Sequence, residues 1–296
     1  MVTPDIKFRV KLSSVLVATD FSAASDKAVL YATAIARRHR SKLFLVHVVT
    51  SPSEGALMDG WRAGQQEITK QLLADHLDGI EHELIVRSGG IWEILSGLIR
   101  NKAIDLLVIG TRGRTGVRKL ILGSVAETIF RQAPCPVLTV GPSISGQDPE
   151  AGPERILAPT GFAAHSVAAV QYAIGLALDL QSHLALLNVV TKGNGAGGKG
   201  KKTTADERLA KLRALIPTDE HLASEPLFFV ESGSPPEAIL QTAIRWKANL
   251  IVLGLRHLHQ KSGSEPMWAK AYEIISKAPC PVLTVRERRN ALRKPR

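Results

Sequence analysis

Cysteine is scarce in this chain of 296 residues: Cys135 and Cys280 are the only two. They stand in two copies of one phrase, Ala-Pro-Cys-Pro-Val-Leu-Thr-Val. Equivalent apolar packing near a strand start accounts for them better than a disulfide framework does, and a reducing cytoplasm is the expected compartment. Long apolar runs are missing as well. None reaches the roughly 18 residues of a membrane span, and the opening MVTPDIKFRVKL lacks the apolar core of a signal peptide, so neither insertion nor secretion is expected. Acidic residues are outnumbered, 27 against 38 Lys and Arg, for a net charge of +11. Much of that excess lies in Lys199, Lys201 and Lys202 and in the tail 286–296. Such runs are usually solvated, so nucleic acid is not the expected partner. Neither Ser/His/Asp nor Cys/His nucleophile chemistry has a supporting context, and no catalytic residue is assigned.

What is present is one unit written twice. Val15-Leu16-Val17-Ala18-Thr19-Asp20-Phe21 returns as Ile156-Leu157-Ala158-Pro159-Thr160-Gly161-Phe162. Leu45-Val46-His47-Val48-Val49 returns as Leu186-Leu187-Asn188-Val189-Val190, and Asp105-Leu106-Leu107-Val108-Ile109-Gly110 as Asn249-Leu250-Ile251-Val252-Leu253-Gly254. A Gly/Pro/Ser-rich linker at 143–153 separates domains 1–143 and 154–296. In the first half, Val/Ile/Leu runs predict strands near 14–19, 43–49, 83–87, 105–109 and 136–140. Amphipathic stretches predict helices near 23–39, 61–78, 90–101 and 124–132. Continuous apolar strands alternating with helices specify an α/β fold: two tandem open parallel sheets, Rossmann-like, with helices on both faces.

The stretch GTRGRTGVRKLILGS at 110–124 follows an apolar strand and precedes a helical pattern. Gly110 and Gly113 let main-chain N–H groups approach a ligand. Ser124, with Glu127 three residues on, reads as a capping box, and the helix start it marks favours an anion. Arg112, Arg114, Arg118 and Lys119 add positive charge. In an open parallel sheet ligands sit at the carboxyl ends of the strands, so the loop reads as a phosphate cradle. Asp20 ends the first strand and faces the same crevice, as an acceptor for ribose hydroxyls or as a turn or cap residue before the helix. The spacing is neither Walker A nor the dinucleotide fingerprint.

The spacing Gly110-x2-Gly113-x9-Gly123-Ser124 resembles the ATP-binding signature of the universal stress protein family. Ala18-Thr19-Asp20-Phe21-Ser22, His47-Val48-Val49, Ser-Val-Ala-Glu and Cys-Pro-Val-Leu-Thr-Val are similar to the same family, in order, over nearly the whole chain. The resemblance implies five-stranded sheets of order 3-2-1-4-5 binding ATP, with or without Mg2+, or a related adenine nucleotide. Asp20 and Val48 would lie at the ribose and adenine, with Ala18 and Thr19 lining the same pocket. Ile109 and Gly110 would back the nucleotide, and Gly113, Gly123, Ser124 and Val125 would contact phosphates alongside Arg112. It also implies an internal pseudo-dimer in which 136–140 meets 281–285, and leaves a further homodimer open.

The second copy departs from the pattern. Aligned on the cysteines, Trp268 and Ala269 replace Gly123 and Ser124, His257 replaces Gly113, and Gly161 replaces Asp20. Weak nucleotide binding, or none, is expected there. His257 and His259 suggest a metal only superficially, since no carboxylate or cysteine converges on them. Three functions stay open: a nucleotide-binding stress-response regulator, a slow ATPase or phosphotransfer enzyme, and an adaptor independent of nucleotide.

Overall fold

The structure, a computed structural model, describes residues 10–50, 77–110, 124–141, 144, 147–191, 204–218, 222–256 and 267–287, with the backbone alone for 23, 24, 124–127 and 267–269. The first half contributes β1 (Ser14–Thr19), α1 (Ala23–His39), β2 (Lys42–Val49), β3 (His82–Ser88), α2 (Ile91–Asn101), β4 (Leu106–Gly110), α3 (Ser124–Gln132) and β5 (Val137–Val140). The second contributes β6 (Arg155–Pro159), α4 (Ala164–Leu180), β7 (His183–Val190), α5 (Ala205–Arg213), β8 (Leu227–Ser232), α6 (Pro235–Trp246), β9 (Leu250–Leu255), α7 (Met267–Lys277) and β10 (Val282–Arg286). Of the expected helix at 61–78, all but the last two positions lie outside the described residues.

Local chemistry sets the boundaries. Ser22 caps α1, its hydroxyl accepting from the Ser25 N–H at 3.3 Å, and Arg40 closes the helix in the left-handed region at φ 52°. The long helix of the second half ends the same way, at Gln181 with φ 53°. Two prolines open α6 where a backbone N–H would have no helical partner. The start of β4 is tied to β1 by the Asp105 carboxylate, which accepts from Ser13 N at 2.7 Å and Ser14 N at 3.1 Å. Asn249 repeats the tie in the second half, accepting from Arg155 N at 2.9 Å.

Within each half the strands are parallel and ordered 3-2-1-4-5, as the resemblance implied. The two sheets do not stay apart: they join into one ten-stranded sheet, β3-β2-β1-β4-β5-β10-β9-β6-β7-β8. The seam is the antiparallel pair β5–β10, where Val282 faces Thr139, Leu283 faces Leu138 and Thr284 faces Val137. Leu138 and Leu283 occupy equivalent places in the repeat and face each other, so an approximate two-fold axis passes between them. Short edge strands that would otherwise invite aggregation are thereby covered.

Apolar cores line both faces of this sheet and run through the seam. One, under α1 and α4, draws on Leu106, Leu138, Leu250 and Leu283; the other, beneath α2, α3, α6 and α7, includes Leu107, Val137, Ile251 and Val282. Fully buried side chains such as Leu16, Leu107, Ile156 and Leu187 each contribute about 1.5–3 kcal/mol. Cys135 and Cys280 are buried free thiols, both pushed up to about 12 by loss of water. Trp92 and Trp246 are partly buried and pack against the second core.

Candidate functional site

The crevice forms where the strand order reverses, between β1 and β4. The chain leaves β1 for α1 on one face and leaves β4 for α3 on the other. Pairing of Val15, Leu16 and Val17 with Leu106, Leu107 and Val108 fixes the register. Continued forward, it sets Ala18 beside Ile109 and Thr19 beside Gly110. On the other side Thr19 pairs with His47, one residue short of Val48. Ala18, Thr19, Asp20, Val48, Ile109 and Gly110 thus meet at the carboxyl ends of three adjacent strands. Ser124 and Val125 begin α3. Arg112, Gly113 and Gly123, and with them the cradle itself, lie outside the described residues, as do Thr115, His257 and His259.

The β1–α1 turn is held by a compact set of bonds. The Thr19 hydroxyl accepts from the Phe21 N–H at 3.0 Å and lies 3.1 Å from the Ser25 hydroxyl. The Thr19 carbonyl accepts from Nδ1 of the buried His47 at 2.8 Å, which assigns the proton to that nitrogen. Phe21 stacks at a tilt on His47, with 4.7 Å between ring centroids. These contacts hold Phe21 at φ 59°, a left-handed conformation costing on the order of 1 kcal/mol for a bulky residue. Asp20 accepts from the Ser22 N–H at 3.1 Å, so its carboxylate stabilises the turn while Ser22 does the capping. Burial, and then the neighbouring Asp20 carboxylate, raise the Asp26 carboxyl above its ordinary range. Asp20 and Asp26 therefore lie close enough to interact at the start of α1.

The second half rebuilds the turn almost bond for bond. The Thr160 hydroxyl accepts from Phe162 N at 3.0 Å and donates to Ser166 at 3.0 Å. Phe162 has φ 64°. Asn188 replaces His47, donating from Nδ2 to the Thr160 carbonyl at 2.8 Å. Its Oδ1 then accepts from Arg208 on α5 at 2.8 Å, while Arg208 Nε is buried without a partner. At the end of β9 a Cβ on Gly254 would lie 2.3 Å from the His165 carbonyl oxygen. The first turn of α4 therefore rests on that strand end, and only glycine fits. Gly110 has the equivalent sequence position at the end of β4.

Sequence reasoning named Thr19 and Asp20 but not the knot of Phe21, Ser25 and His47 around them. Its signal was legible: Thr-x-Phe-x3-Ser occurs at 19–25 and again at 160–166.

The model of the universal stress protein family matches residues 12–141 and again 153–286. The chain belongs to the universal stress protein family. A universal stress protein of Methanocaldococcus jannaschii is 32% identical over 137 residues, covering 43% of this chain and 80% of its own length. The crystal structure of a universal stress protein from Archaeoglobus fulgidus covers 92% of this chain and 98% of its own, at 21% identity and a TM-score of 0.65. A putative universal stress protein from Pseudomonas aeruginosa covers 94% of each chain, at 16% identity and a TM-score of 0.61. These two structures share the fold with the full tandem chain. Among the described residues, no helix of this universal stress protein is long and apolar enough to cross a membrane, and no group of three or more potential ligands is placed to hold a metal.

Proposed function

We propose that the first repeat, within domain 1–143, binds ATP or a related adenine nucleotide, and that the chain is a cytoplasmic stress-response regulator. In this reading domain 154–296 is its structural partner in an internal pseudo-dimer. The observation that carries the reading is the coincidence of two features in one repeat only. Asp20 ends β1 at the strand-order reversal, and the glycine spacing 110–124 leaves the adjacent β4. In the other repeat Gly161 stands in Asp20's place, and Arg208 reaches Asn188 across the strand ends. The Asp20 carboxylate would accept from ribose hydroxyls. Val48 and Ala18 would face the adenine, with Thr19 and Ile109 beside it. The N–H groups around Gly110, Gly113, Gly123, Ser124 and Val125, with Arg112, would take the phosphates. ATP would bring a polyphosphate whose charge biases the loop 110–124, and with it partner choice.

Calorimetry on the intact chain tests this, with ATP in the presence and absence of Mg2+, and with ADP, AMP and cAMP alongside. The expected stoichiometry is one, abolished in Gly113→Trp. A stoichiometry near two would overturn the assignment of the second repeat, and no binding would favour the adaptor. Turnover that persists in Gly113→Trp would belong to a contaminant.

A further inference from the structure

At the opposite, amino-terminal ends of the strands, a cavity lies between α1 and α4 on the two-fold axis. The centre of a water-sized sphere can occupy about 80 Å³ of it, several times the roughly 10–15 Å³ that one water needs, and the cavity has an open mouth. Both repeats build it from equivalent positions. Tyr31 and Ile35 of α1 face Tyr172 and Leu176 of α4. The floor is Leu106 with Leu250 and Leu138 with Leu283, on either side of the seam. Protein interiors seldom leave voids larger than a water molecule, so an apolar space of this size between two aromatic walls calls for an occupant.

The linker forms the roof. It is pinned along one side of α1: Lys27 donates to the Ile144 carbonyl at 2.9 Å and Tyr31 to Gln147 at 3.2 Å. Arg38 donates to the carbonyls of Glu150 and Ala151 at 2.8 and 3.0 Å, and Arg37 pairs with Glu150. The ionised side chains on the wall are Arg38 and Asp148, one of each sign. Burial, with Arg38 adding to it and Asp179 opposing, keeps His39 below the ordinary histidine range. The wall therefore has no net charge with which to select an ion, and α1 and α4 both end there, turning negative dipole ends against an anion.

We propose that this cavity is a second ligand site, separate from the nucleotide crevice, for an uncharged apolar small molecule with at most one or two hydrogen-bonding groups. Such a ligand would touch both repeats and the linker at once.

The test uses the full chain and the neutral fluorophore N-phenyl-1-naphthylamine. Saturable binding of one probe per chain is expected, displaced by dodecanol. Dodecanoate and dodecyltrimethylammonium should displace it at least 10-fold less well. Ile35→Trp and, separately, Leu176→Trp fill the cavity from its two sides, and each should weaken the probe at least 10-fold while thermal unfolding stays cooperative. ATP should not compete. Absence of saturable binding would overturn the proposal, as would affinity unchanged in both folded tryptophan variants. Preference for either ion would overturn the uncharged ligand. Loss of ATP binding in the calorimetric test leaves this prediction standing, so the two readings fail independently.

Discussion

Set side by side, the turns after β1 and β6 differ in what they carry and not in how they are built. Threonine, left-handed phenylalanine and serine recur with the same bonds within about 0.1 Å of one another, 3.0 Å in both copies for the phenylalanine N–H. Asp20 becomes Gly161, and His47 becomes Asn188 with Arg208 behind it. A strained turn retained where Asp20 is replaced by glycine belongs to the fold: it joins the strand to the helix that follows. Asp20 is an addition to that scaffold, which makes it the more informative residue for function.

The largest test of the comparison is at the seam where the halves meet. Thr139→Pro removes a donor from the middle of a ten-stranded sheet and should cost about 3 kcal/mol or more in denaturant unfolding. A smaller loss would mean that the repeats fold without each other. Next come the two polar residues at matched positions. Asn188→Ala leaves the Thr160 carbonyl and Arg208 short of a partner and should cost about 2 kcal/mol. His47→Asn imports the other half's donor and should cost less than about 1 kcal/mol; an equal cost would break the equivalence of the turns. The seam threonines make a finer contrast. Thr284 donates to the Val137 carbonyl at 3.2 Å, whereas the buried Thr139 hydroxyl has no partner. Thr284→Val should lose about 1 kcal/mol and Thr139→Val should be neutral or stabilising, both read from the unfolding midpoint.

The smallest effect is with pH. His39 in one half and His165 in the other both sit below the ordinary value of 6.5, chiefly through burial, with Arg256 adding to it at His165. The unfolded chain therefore takes up protons at higher pH than the folded one. Stability is full above about pH 6.5 and falls as pH drops below it. The melting temperature should decline from pH 7.5 to 5.5, with a shallower slope in His39→Gln and in His165→Gln.

The fold was legible because its signals are local and repeated. Continuous apolar strands, helix periodicity and the duplicated phrases predicted nine elements in the first half, and the eight that fall among the described residues lie within a residue or so of the expected bounds. The joining of the two sheets was implied by the family resemblance and not by the residues themselves. Less legible was everything that depends on side chains meeting from distant parts of the chain. The hydrogen bond from His47 to Thr19 and the reach of Arg208 to Asn188 have no periodicity to betray them. The linker's composition marks a boundary but not its contacts: Lys27, Tyr31 and Arg38, spaced at helical intervals, hold it to α1. The site was half legible: the strand ends converge as expected, while the loop that would take the phosphates is outside the described residues.

The pinned linker also bears on concentration. Two separate chains joined only by a strand of four residues, Val137–Val140, would depend on their abundance to stay together. A short tether replaces that dependence with an effective concentration in the millimolar range, whatever the number of molecules in the cell. The seam need only be strong enough to close within one molecule. A protein built this way keeps its partner at the lowest expression level, and dilution, which would dissociate a dimer of the same contacts, leaves it assembled.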